Sequence, residues 1–225
     1  MMEEILFSAK QVNGKQKRKG FRENFVLRDI NFELPAGYIM GIVGKNGAGK
    51  TTFFKYILEE KKMYEGQFLL DGRDILEDSV WTKDNIGFVS DDNHFILQRT
   101  AAQNAELLGP FYSSFDKDLF LQMMGQMGLS PAKTLGAMSR GEYIKFQLAF
   151  AIAHKPRLLL LDEATAGMDP VYRKDFYQWI RNLMDEERCS VIMSSHLEED
   201  IQKQFDYIAY LEDGKFVSFQ ENEWT

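Results

Sequence analysis

Cysteine is nearly absent from this chain: Cys189 stands alone among 225 residues. No intrachain disulfide can form, which fits a reducing compartment. Proline is scarce, at five residues, and no Ser/Gly-rich stretch occurs, so no flexible linker is in sight. Also missing is any apolar run approaching the ~20 residues that span a bilayer. The longest runs, such as Leu158 to Leu161, have the length of a buried strand. Any role at a membrane must then come through a partner. The opening Met1-Met2-Glu3-Glu4 has the wrong charge for a secretory leader. An excess of positive charge is lacking too, since 27 Lys and Arg against 34 Asp and Glu leave a net −7. Nucleic-acid affinity rests on a concentrated basic face, so no nucleic-acid partner is expected. The one dense basic run, Lys15 to Lys19, reads as a solvated loop, with contact to anionic lipid headgroups as the sharper alternative.

What the chain does contain is apolar side chains. At 44% hydrophobic and 27% charged residues, it can build one substantial core, or a core with a smaller lobe, and is not a disordered chain. Glu4 to Val12 and Val26 to Leu34 read as strands. In the second, Ile30, Phe32 and Leu34 alternate with Asn31 and Glu33, as in a half-buried antiparallel strand. Phe68 to Leu70, followed by Asp71-Gly72, gives a further strand and a turn. Ile39 to Val43 leads into a glycine-rich turn and a helix from Thr51 to Leu58. Leu158 to Leu161 and Val191 to Met193 are runs of the buried, parallel-sheet type. Between Asp92 and His154 helical periodicity takes over. Leu119, Phe120, Met123, Met124 and Met127 share one helical face, read as core, and a second helix runs from Gly141 to His154, ending before Pro156.

Chemistry enters at Gly44-Lys45-Asn46-Gly47-Ala48-Gly49-Lys50-Thr51, the phosphate-loop pattern G-x-x-x-x-G-K-[ST]. Its glycines let backbone N–H groups turn inward on phosphate oxygens, and the next helix presents its positive end to the same anion. Lys50 supplies charge to the β/γ-phosphates and the Thr51 hydroxyl can ligate Mg2+. Leu158 to Leu161 ends in Asp162-Glu163. Carboxylates at the carboxyl end of such a strand face the ligand crevice. Asp162 suits the Mg2+ shell, and Glu163 can orient and deprotonate the attacking water.

Met138-Ser139-Arg140-Gly141-Glu142, just ahead of the helix leading to Leu158, resembles the L-S-G-G-Q signature of the ABC (ATP-binding cassette) family. Ala166-Gly167-Met168-Asp169 resembles that family's D-loop, and His196 lies after an apolar strand where the family carries a histidine contacting the γ-phosphate. The resemblance runs from the first strands to the turn Glu212-Asp213-Gly214, and no regulatory domain is expected beyond it. It implies a fold class: an α/β P-loop NTPase core of mostly parallel sheet, an antiparallel β lobe and an inserted helical subdomain. A single ABC ATPase domain would fill residues 1–225, with the core and β lobe at 1–90 and 156–225 and the helical subdomain at 91–155.

The resemblance further implies ATP and Mg2+ as cofactors. Phosphate-loop residues Gly44 through Thr51, with Thr52, would bind the nucleotide. Phe21, with Phe25 nearby, stands where the family often stacks an aromatic on adenine. Ser139 and Gly141 would serve the nucleotide of a second ATP-binding subunit, in a homo- or heterodimer. The other partner would be a transmembrane transporter subunit, holding the chain on the cytoplasmic face of the cell membrane. Glu163, His196 and Lys50 would be catalytic, and Thr51, Asp162 and Asp91 would serve the metal. The Ser-Arg-Gly form looks more like bacterial exporters of drugs, peptides or lipids than importers. The alternative is a soluble ABC ATPase acting as an ATP-dependent switch on a non-membrane partner.

Departures from the pattern are few. Ile86-Gly87-Phe88-Val89-Ser90-Asp91 looks like the lead-in to the family's Q-loop, with Asp91 in place of Gln. Met138, Arg140 and Glu142 are atypical in the signature, and Ala164 replaces a proline after Glu163. With Lys50, Asp162, Glu163 and His196 all present, a hydrolytic site is expected.

Overall fold

Leu158 to Leu161 lie in a strand, where consecutive leucines point to opposite faces and both faces must be covered. The computed structural model describes residues 4–14, 27–59, 63–92, 94–187, 189–196 and 198–223. Its elements begin with β1 (Ile5–Gly14), β2 (Ile30–Pro35), β3 (Ile39–Val43), α1 (Lys50–Leu58), β4 (Tyr64–Leu70), β5 (Arg73–Asp74), α2 (Ser79–Asn85) and β6 (Ile86–Val89). Then come α3 (Ala101–Leu108), α4 (Lys117–Gln126), α5 (Arg140–Ala153), β7 (Leu158–Asp162), α6 (Pro170–Glu187), β8 (Ser190–Ser194), α7 (Glu198–Lys203), β9 (Tyr207–Glu212) and β10 (Lys215–Glu221). The basic run Lys15–Lys19, the aromatics Phe21 and Phe25, and Val26 lie outside the described residues.

A six-stranded sheet runs β10-β9-β3-β8-β7-β6, parallel except for the antiparallel edge β10. A four-stranded antiparallel sheet runs β2-β1-β4-β5. Met40, Ile42, Leu158, Leu160 and Ile192 on one face of the larger sheet join Phe53, Phe54 and Ile57 of α1 and the apolar residues of β1, β2 and β4. On the opposite face Ile39, Leu159, Leu161, Val191 and Met193 meet α5 and α6. Both faces are covered, hence the unbroken apolar runs. Ile30, Phe32 and Leu34 are buried as their alternation requires, but β2 begins at Ile30 because Asp29 is left-handed (φ 51°). β1 runs past Val12 to Gly14, with a pairing irregularity around Gln11, also left-handed at φ 51°.

Between β6 and β7 the described residues form no strand apart from an isolated bridge between Thr100 and Thr134. α4 packs on α5 around Phe120, Met123, Met124 and Met127, while Leu119 is only partly buried. Phe95 sits edge-on to Phe146 and Phe150, with centroids 4.8 and 5.1 Å away, and ties the loop after β6 to α5. The longest helix among the described residues, α6, was not anticipated. Its Phe176, Tyr177, Ile180, Leu183 and Met184 recur at helical spacing and cover the sheet.

Candidate active site

Parallel strands present their carboxyl ends along one edge, and the phosphate loop meets Asp162 and Glu163 there. β3 feeds the phosphate loop directly. Gly49 stands ahead of α1 with φ 114°, a left-handed turn that a side chain would strain. At Gly44 a Cβ would lie 2.4 Å from the Leu211 carbonyl oxygen, so the loop can pass β9 only as glycine. Asn46, Gly47, Gly49, Lys50, Thr51 and Thr52 line a cleft of about 560 Å³. Gly44, Lys45 and Ala48 do not. The Gly44 carbonyl accepts from Lys50 Nζ (2.9 Å) and the Ala48 carbonyl from the Gly214 N–H (3.1 Å).

The opposite wall comes from β7, whose last residue is Asp162, and from Glu163 just beyond it. Thr51 Oγ1 donates to Asp162 Oδ2 at 2.9 Å. Lys50 is 6% exposed, and its Nζ lies 3.3 Å from Glu163 Oε1. Glu163 is left-handed (φ 49°), an uncommon conformation for a residue with a side chain. It is held by Ser194 at the end of β8. The Glu163 N–H donates to Ser194 Oγ (2.8 Å), and that hydroxyl donates to Asp162 Oδ1 (2.7 Å). Ser194 is fully buried and in register with Asp162. The sequence reading passed over it, although its place at the end of an apolar strand, two residues before His196, was the available signal.

Thr51 and Asp162 fit a hard cation, because both are oxygen donors and their side chains already meet. Asp91 lines the same cleft but is not gathered to that pair. Both its oxygens are taken by Arg140, Oδ1 by Nε and Oδ2 by Nη2, each at 2.6 Å. His196 follows β8, is exposed and does not line the cleft. Phe21 is outside the described residues.

Ser139 and Gly141 are also away from their own chain's cleft. Ser139 caps α5 in a reciprocal box: its N–H donates to Glu142 Oε2 (2.8 Å), and its Oγ accepts from the Glu142 N–H (3.3 Å). Lys133 Nζ donates to both Glu142 oxygens at 2.8 Å. That hydrogen bond first, and the Ser139 N–H second, hold the Glu142 carboxyl below its ordinary range. Glu142 in the signature is thus a helix cap with its own cation. Asp169 does similar work at α6, accepting from the Val171 N–H at 2.9 Å.

A second cavity of about 560 Å³ has different chemistry. Ile75, Val80, Phe88, Leu108, Phe111 and Phe150 make it an apolar groove between α2 and the segment after α3, with Val80 75% and Phe111 80% exposed at its rim. The loop after β6 runs between the two cavities. Ser90, Asp91 and Asp92 line the cleft, and His94 and Phe95 line the groove. No helix among the described residues is long and apolar enough to cross a membrane.

Known proteins resemble this chain in sequence and in fold. The family model for ABC transporters matches residues 27–166. The ABC transporter ATP-binding protein YtrB of Bacillus subtilis is 30% identical over 207 residues, covering 92% of this chain and 70% of YtrB. The methionine import ATP-binding protein MetN 1 of Rhodococcus jostii is 30% identical over 211 residues, covering 88% of this chain and 62% of that protein. The fold is that of the ATP-binding cassette MJ0796, solved as a dimer in a post-hydrolysis state with ADP and Pi. The TM-score is 0.82 at 22% identity, over 97% of this chain and 99% of that one. Family match, relatives and fold point the same way: the chain belongs to the ABC transporter family, as an ATP-binding subunit that hydrolyses ATP.

Proposed function

We propose that this subunit powers transport through a separate transmembrane subunit by hydrolysing Mg-ATP at sites shared between two cassettes. One observation carries the reading: Lys50 with Glu163, and Thr51 with Asp162, meet side by side at the carboxyl edge of the sheet. Lys50 and the backbone N–H groups from Asn46 to Thr52 bind the β/γ-phosphates. Thr51 and Asp162 would hold the Mg2+, which would neutralise phosphate charge. Glu163 takes the proton of the attacking water, and Lys50 fixes its carboxylate meanwhile. His196 approaches the γ-phosphate and Phe21 the adenine. Ser139 and Gly141, being off their own cleft, serve the nucleotide held by the second subunit, at the positive end of α5.

The apolar groove is the docking place for the membrane partner, since exposed Val80 and Phe111 give an amphipathic helix a surface to bury. The helical segment 91–155 moves as a subdomain against the core of 1–90 and 156–225, and the loop from Phe88 to Phe95 links groove to cleft. This contact would hold the chain on the cytoplasmic face of the membrane. The form of the signature suggests export of a drug, peptide or lipid. MetN 1, at the same 30% identity to this chain as YtrB, is named for import, so transport direction is left to the experiment. The test is to isolate the chain from membranes of its own host and measure phosphate release. Co-purification of one polytopic protein, stimulation by it, and its loss in a Val80→Asp/Phe111→Asp variant are expected. Full activity of a chain found only in the soluble fraction, with a soluble partner, would favour the non-membrane ATPase. Loading sealed vesicles of the purified complex then gives direction.

A further inference from the structure

The cleft that must take up a polyphosphate is lined by four carboxylates, Asp91, Asp92, Asp162 and Glu163, and one ammonium, Lys50. Asp162 is engaged with Thr51 and Ser194, and Glu163 with Lys50. Asp91, with its side chain 56% exposed, has neither arrangement. Its carboxylate is gripped instead by Arg140, which comes from outside the cleft, as the first residue of α5.

The grip is specific. Arg140 Nε and Nη2 donate to the two Asp91 oxygens, both at 2.6 Å, in a fork-to-fork pair. Nη1 donates to the Ala166 carbonyl oxygen of the loop after β7. The guanidinium lies so close over Gly167 that a Cβ there would be 3.3 Å from Nη1. One side chain therefore spans three segments: the loop after β6, the start of α5 and the loop after β7. Asp91 and Arg140 were read from the sequence as two separate departures, an acid in place of a neutral Gln and a base within the signature. In the structure they are one neutral pair.

We propose that Arg140 is a positioning residue for the nucleotide site, holding the Asp91 carboxylate and cancelling its charge so that a polyphosphate can enter. The inference rests on the cleft being the nucleotide site. Removing the guanidinium leaves a bare carboxylate facing the phosphates, and removing the carboxylate as well restores neutrality. The two effects therefore cancel in the double variant, whereas a merely structural contact would be lost equally from either side.

Equilibrium binding of Mg-ADP to the purified subunit, by calorimetry, tests this. ADP reads the subunit's own cleft without asking the signature of a second subunit to take part. Arg140→Ala is expected to weaken ADP binding about three- to tenfold at low salt, and by less as salt is raised. Asp91→Asn should bind at least as tightly as the parent, and Asp91→Asn/Arg140→Ala should return to within about twofold of Asp91→Asn. Arg140→Gln, similar in length without the charge, should behave as the alanine variant does and stands in if that variant fails to fold. Unchanged or tighter binding in both Arg140 variants, or a double variant as weak as the single, overturns the proposal. If the parent protein binds no ADP, the nucleotide-site reading itself fails.

Discussion

Lys50 Nζ lies 3.3 Å from Glu163 Oε1 while also donating to the Gly44 carbonyl at 2.9 Å. A single ammonium thus joins the phosphate loop to the carboxylate that follows the buried strand β7. This contact fixes the orientation of Glu163. In the proposed mechanism the same charge would serve the β/γ-phosphates with the Glu163 carboxylate beside it. Glu163 keeps a left-handed backbone in this position, anchored by its N–H to Ser194. The wider pattern is a set of short links across the carboxyl edge of the sheet, each joining residues remote in sequence.

Ser194 gives the first test. Its hydroxyl holds Asp162 Oδ1 and receives the Glu163 N–H. Ser194→Ala should lower kcat roughly ten- to a hundredfold through misplacement of the two acids, with little change in KM. It should also cost about 1–3 kcal/mol of stability, because a buried hydrogen-bonding pair loses its centre. Steady-state phosphate release and a denaturant titration measure both. Unaltered kcat would make Ser194 a bystander.

A second test is stability against pH. His154, at the end of α5 and beside the apolar groove, is stacked on Tyr112 at 4.4 Å. Burial, only partly offset by backbone hydrogen bonds, pushes its pKa down to about 4. A histidine held neutral in the fold binds its proton more readily in the unfolded chain. Its contribution is therefore full above the unfolded pKa near ~6.5 and is lost as pH falls toward about 4, at most on the order of 3 kcal/mol. Urea midpoints between pH 7 and 4.5 should fall more steeply for the parent protein than for His154→Gln. Equal slopes would contradict the assignment.

Local chemistry was legible in the sequence, and chemistry across the chain was not. The phosphate loop and the Leu158-to-Glu163 strand declare themselves because their residues are consecutive, and the runs of β3, β7 and β8 are apolar throughout because the sheet is covered twice. Ser194 was missed because its importance lies in a partner 32 residues away. Asp91 and Arg140, 49 residues apart, looked like two irregularities, since only the fold brings the loop after β6 to the start of α5. Glu142 was read as a departure from a glutamine, and its pairing with Lys133 depends on a turn that composition does not reveal. α6 was overlooked although Phe176, Ile180 and Leu183 follow helical spacing.

A third test concerns the shared site. Lys50→Ala should disable the phosphate loop and Ser139→Arg should block the signature, so each variant alone should be inactive. In a homodimer mixed 1:1 from the two, one site collects both defects and the other is intact. Freely exchanging subunits should then recover about a quarter of parental sites. Specific activity of the parent should also fall on dilution. Absence of rescue together with dilution-independent activity of a monomer would mean each subunit is complete alone.

The most direct measurement follows Glu163→Gln in the presence of Mg-ATP, with phosphate release and molecular mass recorded on the same sample. If Glu163 is the base and ATP closes two subunits over shared sites, hydrolysis should fall roughly 10²–10⁴-fold while ATP still binds. The protein should then accumulate as an ATP-bound dimer that the parent forms only transiently. Near-parental turnover by a Glu163→Gln protein that remains monomeric with ATP would contradict the account.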